Sequence, residues 1–134
     1  MKHKKAIRVN KNILTQKVKF ANYLFVAFKM ELKKDHNVPE STRNDMLKNL
    51  QMCDYAFAKL RDGIPLVSQN PKSNMVSWSF NLHVISQNLR QFVESIDQEL
   101  SDDTADFLGD CLDGVADIFN YLSQCMQEAG IHAN

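Results

Sequence analysis

The 134-residue sequence has no uninterrupted apolar run approaching the roughly 18 residues that a membrane span requires, no Cys-x-x-Cys pair and no glycine-rich phosphate loop. It also has only four arginines. The longest apolar stretch, FANYLFVAF over 20–28, is short and broken by Asn22, so no membrane span is expected. It follows a basic opening but precedes no small-residue cleavage site, which argues against a secretory signal. A single arginine, Arg8, and the lack of serine in that opening argue against a transit peptide.

Cys53, Cys111 and Cys125 are odd in number and lie at apolar positions, with no histidine at ligand spacing. That argues against a disulfide framework and a zinc site, and it predicts buried thiols in a reducing, cytoplasmic compartment. GxSxG, HExxH and Glu-x-x-His pairs are absent, so no catalytic residue, metal or cofactor is predicted and the chain is read as a non-enzyme. His83 is the one histidine inside a predicted helix. Val84 and Ile85 follow it, where histidine phosphotransfer domains place a lysine and a glycine.

What is present is helical spacing. Apolar residues recur at steps of three and four along four stretches. The first is Leu14, Val18, Ala21, Phe25, Phe28, Leu32; the second is Met46, Leu50, Cys53, Phe57, Leu60. The third is Met75, Trp78, Leu82, Ile85, Leu89, Phe92, Ile96; the fourth is Leu108, Cys111, Val115, Ile118, Leu122, Cys125, Ala129. Each track lines one face of a helix and needs cover. A chain this long buries roughly two thirds of its unfolded surface, enough for a core without staples.

The first helix is expected to start near Asn10 or Asn12, as caps, and to run to about Lys34. Pro39 suits the first turn of the second, which Gly63 and Pro65 should end. The stretch GIPLVSQNPKSN, 63–74, then reads as a long crossing loop. From Val76 to Val84 the third stretch also alternates like a strand. The helical track continues well past Trp78, however, and nothing else in the chain offers a pairing strand, so a helix is predicted. Ser101 caps the fourth helix and Gly130 closes it. The expectation is a single all-α domain over 1–134, a mostly antiparallel up-and-down four-helix bundle with one longer connection between helices two and three. A basic amino-terminal arm occupies about residues 1–10.

Two features point to surfaces. The first helix is apolar almost all round between Phe20 and Met30, which means either a central helix or a self-association face formed by Phe20, Tyr23, Val26 and Met30, giving a homodimer. Leu112, Phe119 and Met126 add a second track on the fourth helix. Charge divides sharply: residues 1–66 carry 14 Lys and Arg against 6 Asp and Glu, net +8, and residues 67–134 carry 2 against 10, net −8. On the fourth helix Asp106, Asp110, Asp113 and Asp117 form an acidic ridge opposite the core track. The ridge either neutralises the first helix alongside or docks a protein partner. The alternative is nucleic-acid association through Lys2, Lys4, Lys5, Arg8 and Lys11; scarce arginine and no interleaved aromatic residues make it the lesser reading. Ser86, Gln87, Asn88, Arg90 and Gln91 form a neutral polar cluster beside His83, and Trp78 is assigned to packing.

Overall fold

A computed structural model describes residues 7–67, 71–96 and 99–130. Most of the basic arm, including Lys2, Lys4 and Lys5, lies outside these residues, and the side chain of Met75 lies outside the description as well.

Helix α1 spans Lys11–Lys34, and Asn10 caps it: its side chain accepts from the backbone N–H groups of Asn12 at 3.0 Å and Ile13 at 3.1 Å. Lys33 and Lys34 sit at its negative end. The second predicted helix is a rod broken at one residue, with α2 over Glu40–Asn49 and α3 over Gln51–Val67. Pro39 stands just before α2 rather than in its first turn. At the break, the Leu50 N–H is shared between the carbonyls of Met46 and Leu47, both at 3.2 Å, which tightens one turn while Leu50 itself is fully buried. Helix α4 spans Pro71–Ser95 and α5 spans Asp102–Glu128. Ser101 caps α5, and Gly130 follows its end with φ +78°, a left-handed conformation suited to glycine.

The long connection is corrected. Helix α3 continues through Gly63 and Pro65 to Val67, and only residues 68–70 separate it from α4. Pro65 sits one turn from the helix end, where its missing N–H deprives the Arg61 carbonyl alone. Burial of Ile64 and Val67 on the continued turn offsets that loss. Gly63 has a packing role: a Cβ there would lie 2.8 Å from Cδ1 of Trp78. The Trp78 ring is buried, and its Nε1 donates to the Leu60 carbonyl at 2.7 Å. The stretch from Trp78 to Val84 is helical, as its longer track predicts.

Contacts fix the directions. Along α1 and α5, Asn10 meets Tyr121, Lys17 meets Asp117, and Ala21 meets Gly114, so the pair is antiparallel. Along α3 and α4, Cys53 reaches Asn88 and Leu60 reaches Trp78, again antiparallel. Helix α3 also lies along α1, through Phe25 with Phe57 (ring centroids 5.4 Å) and Lys29 with Asp54. Phe28 meets Phe92 of α4 edge-on at 5.5 Å. The result is an up-and-down bundle with α1 flanked by α3 and α5. Every described residue of the four tracks is buried except Met46 and Ile96, which pack half-buried against the core. Each fully enclosed Phe or Leu contributes about 1.5–3 kcal/mol.

Candidate functional site

Helix α1 has two apolar faces. Leu14, Val18, Ala21, Phe25, Phe28 and Leu32 are at most 2% exposed and form the inner one. The outer one carries Phe20, Tyr23, Val26 and Met30, with exposures of 61%, 68%, 42% and 52%. All four residues read as a self-association face lie together on the surface, and α1 is therefore not central to the bundle. Phe20, Tyr23 and Met30 follow one another at three- and seven-residue steps and Val26 lies between the last two, so the side chains adjoin along one side. Exposed apolar residues scattered singly are ordinary; four contiguous ones on one helix are not. Two more exposed side chains, Met52 and Tyr55, lie on α3, and Lys59 covers the Tyr55 ring at 5.2 Å.

The acidic ridge is present. Helix α5 holds seven acidic residues and no basic one. Asp106, Asp110, Asp113 and Asp117 are exposed along the side opposite the buried track. Helix α1, with six lysines and one acidic residue, Glu31, lies beside it. One ion pair joins the two among the described residues, Lys17 to Asp117 at 2.7 Å. Asp106, Asp110 and Asp113 form no ion pair there, so neutralisation of the ridge among the described residues is partial. An exposed pair of this kind contributes about 0–1 kcal/mol.

Of the basic arm, Arg8 and Lys11 are described, and both are exposed. Arg8 borders an open groove of about 590 Å³ between the start of α1 and the end of α5, which also contains Lys17, Tyr121, Cys125 and Glu128. Tyr121 closes its floor by accepting the Asn10 N–H at 2.8 Å. The groove mixes both charge signs and presents no uniform cationic lane.

The polar cluster on α4 divides. Asn88 turns inward and accepts the Cys53 thiol at 2.9 Å, whereas Gln87, Arg90 and Gln91 face outward and His83 is exposed. All three cysteines are free and buried. Burial pushes the thiols of Cys53 and Cys111 up to about 12, and it also raises Cys125. Such thiols are poor nucleophiles at neutral pH.

Two buried polar residues, Asp35 and Thr104, escaped the sequence reading. Asp35, just past the end of α1, is buried and accepts from the backbone N–H groups of Ser101 at 2.9 Å and Asn37 at 3.0 Å. Its signal was faint: an acidic residue just after a helix, able to cap the following turn. Beside it Arg43 donates to the Lys33 carbonyl, closing the end of α1. Both contacts brace the fold and leave the outer face of α1 untouched. No protein-family model, no curated protein and no solved structure matches this chain, so its role is read from these surfaces.

Proposed function

We propose that the protein is a non-catalytic interaction module that self-associates through the outer face of α1, with the acidic ridge of α5 left to meet a second, basic protein partner. The observation that carries this reading is the contiguous exposure of Phe20, Tyr23, Val26 and Met30 on a helix whose opposite face is already fully committed to the core. Covering those side chains removes apolar area from water at about 25 cal/mol per Å², which favours association. The ridge supports the second element because three of its four aspartates have no ion-pair partner among the described residues, and such a field accelerates encounter with a basic surface. The alternative, nucleic-acid association through the basic arm, has less support: the sequence has only four arginines, and Arg8 borders a groove that also holds Glu128.

Sedimentation velocity of the wild type beside Val26→Asp tests the first element. The wild type is expected to shift from monomer to dimer as concentration rises through about 1–100 µM, and Val26→Asp to remain monomeric. A monomeric wild type throughout, or an unchanged dimer in the variant, overturns it.

A further inference from the structure

The outer face of α1 carries a second seam. From Ile13, steps of three and four alternate through Gln16, Phe20, Tyr23, Ala27 and Met30, the seven-residue pattern by which one helix receives another. Ile13, Phe20, Tyr23 and Met30 are all more than 40% exposed, and no other described helix exposes as many large apolar side chains. Nothing on the described residues covers this seam.

We infer that two copies of this chain pair antiparallel along α1, about a two-fold axis at the level of Leu24 and Phe25. The inference rests on the proposed self-association through α1 and adds its register. Self-complementarity names the occupant. Turning α1 about that axis sets Tyr23 against the small Ala27 of the second copy and Phe20 against its Met30. It also brings the second copy's Glu31, the one acidic residue on α1, to the level of Lys17, which already holds Asp117 of its own chain at 2.7 Å and would bridge the two carboxylates. These three pairings share a centre to within one residue. A parallel pair would instead stack Tyr23 on Tyr23 and leave Ala27 against Ala27, alternating crowded and empty layers. The acidic ridge of α5 cannot serve as the counter-surface, because Asp106, Asp110, Asp113 and Asp117 supply no apolar seam.

Interface size follows from the geometry. Paired about that axis, the two helices overlap from Gln16 to Lys34, a seam about 29 Å long and one helix, about 10 Å, wide. That is a narrow strip beside the roughly 800 Å² per partner of a standard interface, so the pair belongs with weak, concentration-dependent dimers.

Complementary charges test the register. Phe20→Glu and Met30→Lys change two exposed side chains, so each variant should retain the wild-type helical circular dichroism. Each alone is expected to weaken self-association at least about tenfold in sedimentation equilibrium. Mixed, they are expected to recover a dimer at wild-type concentrations. One of the two symmetry-related contacts then sets the introduced carboxylate against the introduced ammonium, and the other keeps Phe20 against Met30. Phe80→Glu, on the exposed side of α4, should leave association unchanged. If the wild type dimerises, each variant is monomeric and the mixture stays monomeric, the antiparallel register is overturned while the α1 face stands. If the wild type never dimerises, or the variants dimerise as it does, both the register and the α1 face are overturned.

Discussion

Asp35 accepts the backbone N–H of Ser101 at 2.9 Å, joining the end of α1 to the start of α5 across 66 residues of sequence. The same carboxylate holds the Asn37 N–H, so one buried charge fixes a turn and a helix start together. Burial alone would push this carboxyl up. The N–H groups of Ser101 and Asn37 and the hydroxyls of Thr104 and Ser101 hold it below the usual carboxylate value.

Replacing Asp35 by Ala is expected to cost about 2–3 kcal/mol in denaturant unfolding, because it leaves buried N–H donors unpaired. The pH dependence has a definite sign. With the folded value depressed, the contribution of Asp35 is complete above its unfolded value, about 3.9, and is lost as pH falls through the lower folded value. Wild-type stability should therefore fall more steeply below about pH 4 than that of Asp35→Asn. Equal acid limbs for the two proteins would show that the carboxylate is not held as described.

Three helical glycines should respond differently to alanine, as thermal unfolding can show. At Gly109 a Cβ meets nothing within 4 Å, so Gly109→Ala should stabilise by about 0.5–1 kcal/mol through helix propensity alone. At Gly114 it lies 3.3 Å from Cα and Cβ of Ala21, which roughly cancels that gain; the larger Gly114→Val should cost about 1–3 kcal/mol by forcing α1 and α5 apart. At Gly63 it would strike the pinned Trp78 ring, and Gly63→Ala should destabilise.

Trp78 is the single tryptophan and is buried, so native fluorescence should be blue-shifted and should move red in one step on unfolding. Trp78→Phe keeps most of the ring but removes the donor to Leu60, and should cost about 1–2 kcal/mol. A red-shifted native spectrum would contradict the packing of α3 on α4.

The cysteines give a further check. Native protein at about pH 8 should react slowly with an aromatic disulfide reagent, since Cys53 and Cys111 are buried and protonated; denaturant should release three thiols per chain. Rapid native reaction of Cys53 would contradict its bond to Asn88.

Much of this architecture was legible because burial imposes a period. Leu14 to Leu32 and Leu108 to Ala129 repeat at three and four, and each described member of those two tracks is buried. Asn10 and Ser101 announced their caps by side-chain chemistry. What misled were Gly63 and Pro65, whose local preference for a break was overridden by contacts of Gly63 and Leu60 with Trp78, fifteen and more residues ahead. Asp35 was missed for the same kind of reason: its partner Ser101 is distant in sequence, and no local pattern records such a pairing. The outer stripe of α1 was visible as apolar residues off the main track. Its exposure required the placement of α3 and α5 on the other sides of the helix.

Residue-resolved dilution tests the account of α1 most directly. Amide chemical shifts of isotopically labelled protein, followed from about 500 µM down to about 10 µM, report where self-association occurs. Movement concentrated between Gln16 and Lys34, strongest at Phe20, Tyr23, Val26 and Met30, is the predicted result. Shifts that stay constant, or that move at Phe80 on α4 and leave α1 still, would contradict it.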